Sequence, residues 1–167
     1  MNYENIIKHD LNNGVGFRVS LFCCGCSFRC LHCHNRDLWN PYSGKQFTEE
    51  VKTVLFDEVS KPYYDGLSLL GGEPTHKNNI GTLTALAKEF KEHLPTKTIW
   101  MWTGNLFEDI DTLEILNYID IVVDGLYDHT LRDINLAFRG SSNQRIIDVK
   151  ETLLQKEIIL ATQYYEQ

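Results

Sequence analysis

Apolar residues along the chain fall in short runs between turn-forming residues and amphipathic stretches. Phe17 to Cys24 (FRVSLFCC) is rich in β-branched and aromatic residues after Gly14 and Gly16, and it predicts a buried strand ending at a cysteine-rich loop. Thr48-Glu49-Glu50 then opens a helix: Thr48 can cap free backbone N–H groups, acids suit the first turn, and Val51, Val54, Leu55 and Val59 recur at helical spacing. Gly66 to Leu70 (GLSLL) predicts a second strand, running into Gly71-Gly72-Glu73-Pro74, and Leu83, Leu86, Ala87 and Phe90 mark the helix after it. Thr98 to Trp102 (TIWMW), a helix around Leu113 to Tyr118, and Ile119 to Val123 (IDIVV) add further strand–helix alternation.

This order is that of an α/β domain with parallel strands and crossover helices. Strands so apolar on both faces need helices on at least one side, which a curved, partial (β/α) barrel provides. A closed eightfold barrel takes about 250 residues, so the 167 residues here suffice for part of one, in a single domain spanning 1–167. There is no internal repeat, low-complexity segment or linker. Both punctuated loops follow predicted strands and so lie at C-terminal strand ends, the edge where parallel α/β folds gather a ligand site.

Charge and composition narrow the partners. A formal net charge of −7 and a pI near 5.3 argue against direct binding of nucleic acid, which calls for Lys and Arg gathered on one face. Residues 1–10 carry Glu4, Lys8, His9 and Asp10 and lack the apolar core of a signal peptide, and no apolar run approaches the roughly 20 residues that cross a bilayer. The expected location is the cytoplasm.

All five cysteines, at 23, 24, 26, 30 and 33, lie in one short stretch. A disulfide framework joins distant segments, so this crowding points to a metal or redox centre. Cys26-Ser-Phe-Arg-Cys30-Leu-His-Cys33 has the spacing C-x-x-x-C-x-x-C. The stretch spans roughly 23 Å when extended but can curl around an inorganic cube. Electron-transfer 4Fe-4S clusters take four cysteines; three leave one iron for an exogenous molecule. A zinc site completed by His32, His34 or His9 is the alternative, but structural zinc sites usually add a second ligand pair further along, and none exists here. Cys23 and Cys24 are expected not to ligate, with at least one turned into the core as a small apolar residue.

The C-x-x-x-C-x-x-C loop resembles the signature of the radical S-adenosylmethionine superfamily. That resemblance implies a 4Fe-4S cluster on Cys26, Cys30 and Cys33, S-adenosylmethionine chelating the unique iron through its amino and carboxylate groups, and reductive cleavage to a 5′-deoxyadenosyl radical that abstracts hydrogen. The three cysteines would then be catalytic as well as metal-binding. Gly71, Gly72, Glu73 and Pro74 resemble the superfamily's second motif, whose acceptors receive the methionine ammonium. Glycines permit close backbone approach, and a carboxylate opposes an ammonium strongly in a dry site. Alone, the same string would serve equally well as a tight turn.

Most of the chain, from about Asn13 to Leu160, further resembles the activating component of anaerobic ribonucleotide reductase. The resemblance rests on Asn13-Gly14, Gly16-Phe17-Arg18, Leu67 to Pro74, Trp102-Thr103-Gly104, Val123-Asp124-Gly125 and above all Arg139-Gly-Ser-Ser-Asn-Gln-Arg-Ile-Ile-Asp148. It implies a partial barrel of the radical S-adenosylmethionine type and an activase that installs a glycyl radical on the large subunit of the reductase. It also implies a low-potential electron donor such as flavodoxin, and a homodimer or a heterotetramer with the reductase. Asn105 departs from the pattern, since an aromatic residue often follows Thr-Gly. His32-Cys33-His34-Asn35 looks closer to the pyruvate formate-lyase activator, which is usually longer and lacks the Arg139 to Asp148 string. That string also disfavours a radical enzyme acting on a small molecule, such as a deazapurine synthase. A plain iron–sulfur electron carrier would need a fourth cysteine and would leave Gly71 to Pro74 without purpose.

Further site residues follow from position. His32 and His34 lie between or beside ligands, where contact with the nucleoside competes with simple solvent exposure; Cys33 belongs to the same contact region. Thr103 and Gly104, at a strand end, suit the methionine or ribose, and are equally turn chemistry. Asp124, at another strand end, suits either a ligand or a structural hydrogen bond. Arg139, Ser141, Ser142, Asn143, Gln144 and Arg145 form a donor-rich cluster suited to carboxylate or partner recognition. Alternatively Ser142 or Asn143 caps a helix at Asp148 to Leu154. The acidic run Glu108 to Asp111 reads as a solvated helix start, and Trp39, Trp100 and Trp102 as core or rim aromatics, with Trp39 facing the partner.

Overall fold

The computed structural model describes residues 1–165 as an α/β fold built on a mixed seven-stranded sheet. Its strands are β1 (Asn2–Asp10), β2 (Arg18–Cys23), β3 (Lys45–Gln46), β4 (Gly66–Gly71), β5 (Thr98–Trp102), β6 (Ile121–Asp124) and β7 (Arg145–Asp148); the helices are α1 (Glu49–Val59), α2 (Ile80–His93), α3 (Phe107–Ile110) and α4 (Val149–Gln155). The order across the sheet is β3-β1-β2-β4-β5-β6-β7. β2, β4, β5 and β6 pair in parallel, whereas β1, β3 and β7 add antiparallel flanks.

The parallel centre and its helices follow the apolar pattern. Thr48 accepts from the Val51 N–H at the start of α1, and Glu49 and Glu50 occupy its first turn. On α2, Leu83, Leu86, Ala87 and Phe90 are all buried. They pack with Val19, Leu21, Leu67, Leu69, Ile99, Met101, Val122 and Ile147 into the larger of two cores. Period-two alternation sends Trp100, Ile121, Val123 and Ile146 to the other face, where Ala161, Phe138, Tyr164 and Tyr165 cover them. Arg18 lies on that face fully buried. Its guanidinium donates to Ser68 Oγ, Val15 O, Thr98 Oγ1, Leu67 O and Thr98 O, so all five donors are used. Burial lowers its pKa to about 10, which leaves it charged at neutral pH.

Several elements differ from the sequence pattern. β1 carries no strong apolar alternation because most of its residues are exposed; its backbone pairing with β2, interrupted by register shifts, makes it a strand. Val54 points to solvent while Glu58 takes an inward position. The helix expected around Leu113 to Tyr118 is a 3₁₀ turn over Glu114–Asn117, preceded by the single turn of α3. Asp111 and Thr112, poor helix formers, separate the two pieces. Ser142 and Asn143 cap no helix: residues 145–148 form β7, and Asp148 caps α4 by accepting from the Glu151 N–H. β7 is shielded along its outer side by hydrogen bonds from Asp148 N to Ile159 O and from Ala161 N to Ile146 O. Among the described residues no helix is long and apolar enough to cross a membrane.

The parallel strands end together at Cys23, Gly71, Trp102 and Asp124. Cys23 is paired with Gly71, so the cysteine loop and the Gly-Gly-Glu-Pro loop leave the sheet side by side. Because β7 runs antiparallel to β6, residues 125–144 leave and re-enter the sheet at that same edge.

Candidate functional site

The two loops are stitched to each other. Gly72 N donates to Cys23 O at 2.7 Å, Glu73 N to Gly25 O at 2.8 Å, and Asn35 Nδ2 to Gly71 O at 3.2 Å. Glycine is required here. Gly71 has φ of +110°, and a Cβ on it would lie 2.8 Å from Cys23 N; a Cβ on Gly72 would lie 2.6 Å from Gly25 O. Beyond the loops opens a cleft of about 190 Å³, lined by Cys26, Cys30 and Cys33 of one loop and by Gly71, Gly72 and Glu73 of the other.

The three cysteines are half-buried, and burial raises the thiols of Cys26 and Cys30 above their ordinary value. The backbone amides of Phe28 and Arg29 oppose that effect at Cys26, and Asn35 N–H donates to Cys33 Sγ at 3.4 Å. The neighbouring sulfurs add to the rise at Cys26 and Cys30. Yet among the described residues no three His, Cys, Asp or Glu side chains converge on the position of a single metal ion. Three thiols lining one cleft form the donor set that a cluster with irons at separate corners of a cube would take. Cys23 and Cys24 are both buried in the fold, and burial holds both thiols protonated.

Glu73 is the polar centre of the Gly-Gly-Glu-Pro loop. It is 4% exposed. Oε1 accepts from Thr75 N at 3.0 Å, Thr75 Oγ1 at 2.7 Å and Thr103 Oγ1 at 2.8 Å, whereas Oε2 accepts only from Gly104 N at 2.8 Å. Among the described residues it has no ion-pair partner. With neutral donors alone around it, this carboxyl is not matched by any cation of the protein and suits a ligand cation. Thr103 and Gly104, expected near methionine or ribose, line the cleft and also orient this carboxylate.

The remaining candidates scatter. Pro74 is buried behind the cleft wall. His32, at φ +59°, and His34 are exposed and stand outside the cleft lining, with the His32 ring 4.9 Å from that of His129. Of the residues 139–145, Gln144 reaches the cleft: Nε2 donates to Gly125 O, and Oε1 accepts from Gly140 N and Ser141 N. Arg139 stacks on Tyr165 at 4.1 Å, Ser142 is exposed, and Asn143 Nδ2 donates to Leu126 O. Arg145 is committed to Asp124 and to both oxygens of Glu108. Asp124, fully buried, also accepts from Phe107 N, so its role is structural, and Glu108 is an ion-pair partner instead of a bare solvated acid. Trp100 is core, whereas Trp39 and Trp102 line the cleft. Phe28, Asn35, Leu126 and Tyr127 line it as well, without a sequence signal beyond nearness to the motifs.

Residues 12–147 match the family model described as a 4Fe-4S single cluster domain. Curated relatives include the anaerobic ribonucleoside-triphosphate reductase-activating protein of Enterobacteria phage T4, 43% identical over 146 residues that cover 87% of this chain and 93% of the relative. Proteins of the same name from Pasteurella multocida and Escherichia coli K12 are 36% and 33% identical, over 87% and 86% of this chain and 96% of each relative. On those matches, which run through both loops of the cleft, the chain belongs to the family of anaerobic ribonucleoside-triphosphate reductase-activating proteins, with their 4Fe-4S single cluster domain.

Proposed function

We propose that this protein activates an anaerobic ribonucleotide reductase by radical S-adenosylmethionine chemistry, on a single-domain sheet that forms a sector of a (β/α) barrel. Cys26, Cys30 and Cys33 would hold the 4Fe-4S cluster, with electrons supplied by a low-potential donor such as flavodoxin. When bound, the cluster would supply one electron for reductive cleavage of a carbon–sulfur bond of S-adenosylmethionine to methionine and a 5′-deoxyadenosyl radical, the species that would take a hydrogen atom from a glycine of the reductase.

The protein's own residues position and shield that chemistry. Gly71 and Gly72 let backbone approach the ligand, and Glu73 Oε2 receives the ammonium. Trp39 and Trp102 give the cleft apolar walls that exclude water. A macromolecular substrate suits the rim, where Phe28, Leu31, Leu106, Leu126 and Leu131 remain exposed. Glycine is a fitting target because its unshielded α-carbon can enter a narrow cleft. The observation that carries this reading is the hydrogen-bonded union of the three-cysteine loop with the loop presenting an unpaired, buried Glu73.

The test is anaerobic reconstitution with iron and sulfide, followed by assay of 5′-deoxyadenosine and of a glycyl radical signal with and without the reductase. Cys26→Ala, Cys30→Ala and Cys33→Ala are expected to abolish both products, while Cys23→Ala and Cys24→Ala retain cluster iron. Nucleoside without a glycyl signal would redirect the choice of substrate; neither product from a properly loaded cluster would refute the reading.

A further inference from the structure

Position 105, where the family resemblance leads one to expect an aromatic side chain, carries an asparagine that reaches behind Glu73. Its Nδ2 donates to Thr75 Oγ1 at 2.8 Å and to Thr103 Oγ1 at 3.2 Å, and its backbone N–H donates to Thr103 Oγ1 at 3.1 Å. Both hydroxyls lie within 2.8 Å of the same carboxylate oxygen, Glu73 Oε1. An ionised carboxylate only accepts, so each hydroxyl proton must point at Oε1 and each hydroxyl lone pair must point away. The amide that faces those lone pairs therefore presents its nitrogen, since its oxygen would meet a second acceptor.

This chain of donors divides the carboxylate. With the Thr75 N–H included, Oε1 takes three protons from the protein and is filled, while Oε2 takes one, from Gly104 N. We infer that Asn105 is a positioning residue that directs both threonine protons onto Oε1, and so reserves Oε2 as the acceptor for the ammonium of the bound sulfonium ligand. The inference rests on the reading that Glu73 receives that ammonium. It gives Asn105 a task an aromatic side chain could not perform, because no aromatic ring of Phe or Tyr carries two N–H donors. Without the Asn105 amide the Thr75 hydroxyl loses its only side-chain donor and Thr103 keeps only the backbone N–H of residue 105, so the hydroxyls are held less firmly on Oε1 and Oε1 competes with Oε2 for the ligand.

Binding to the anaerobically reconstituted protein, measured by equilibrium dialysis, separates this role from simple packing. The two probes are S-adenosylmethionine and its 2-oxo analogue, which lacks the ammonium. Asn105→Leu should weaken S-adenosylmethionine about tenfold, on the order of one charge-assisted hydrogen bond. It should leave the affinity of the 2-oxo analogue and the iron content unchanged. Thr75→Val, which removes one of the two hydroxyls, should act in the same sense, and Asn105→Gln should restore part of the preference. Equal weakening of both probes, or no change in either, would overturn the assignment while leaving Glu73 as the ammonium acceptor. A wild-type protein that bound the two probes equally would instead refute the Glu73 reading, and the role of Asn105 with it.

Discussion

Gly71 concentrates several demands in one residue. It ends β4 at φ +110°, pairs with Cys23, and gives its carbonyl to Asn35 of the cysteine loop. A side chain there would strain the backbone and meet the main chain of Cys23, which cannot yield as a flexible side chain can. Gly71→Ala is accordingly expected to cost at least about 2 kcal/mol, or about 4–8 °C in melting temperature for a domain of this size. Differential scanning calorimetry of the metal-free protein would show it, and an unchanged melt would mean the loop relaxes. The residue type was legible in Gly-Gly-Glu-Pro. Its left-handed conformation depends on Cys23, a partner far away in the chain.

Among the elements, α1 is anchored to β1 through Glu58, whose carboxylate meets Lys61 and Lys8 and accepts from the Tyr64 hydroxyl. Hydrogen bonds from Lys61, then Lys8, hold the Glu58 carboxyl down to about 2. A depressed carboxylate stabilises the fold above its unfolded value near 4.5, and that contribution is lost as pH falls toward the folded value. Glu58→Gln should therefore lower the melting temperature at pH 7, with the deficit narrowing steadily below about pH 5. A deficit that stayed constant from pH 7 to pH 3 would show that the ion pairs contribute nothing. At the other flank Arg145 of β7 joins Asp124 of β6 and Glu108 of α3. This triad ties together three elements that the chain order alone would leave unrelated. Within the string from Arg139 to Asp148, so distinctive in sequence, Arg145 is thereby tied into the fold while Gln144 reaches the cleft.

At the scale of the molecule, the edge where the parallel strands end carries most of what function needs. The chain is acidic overall, yet residues 25–36 contain Arg29 and Arg36 and no Asp or Glu. Residues 125–144 overhang the same edge and expose Leu126, Leu131 and Ile134, the last 78% accessible. Apolar side chains bordering a cleft favour a protein partner. Leu131→Glu and Ile134→Glu are expected to reduce the apparent affinity for the reductase about tenfold each, typical of an interface anchor. The 5′-deoxyadenosine formed without the reductase should be unaffected. Titration of the glycyl radical yield against reductase concentration would check this, and unchanged curves for both variants would place the docking surface elsewhere.

The sequence by itself determined the strand–helix alternation, the three-cysteine loop and the glycine loop, because local periodicity and ligand spacing are written in consecutive residues. It also located both loops at C-terminal strand ends, since a parallel α/β order carries that direction with it. Only the tertiary structure decided that β1 is a strand, because backbone pairing to β2 defines it and its side chains are mostly exposed. Only the tertiary structure separated Asp124 and Arg145, consumed in an ion pair, from Glu73, buried without one. The same holds for Thr75 and Thr103, which come from two different loops and meet at one carboxylate, with Asn105 bonded to both hydroxyls. Whether a polar residue is structural or available for a ligand depends on which neighbours satisfy it, and those neighbours are chosen by the packing of distant segments.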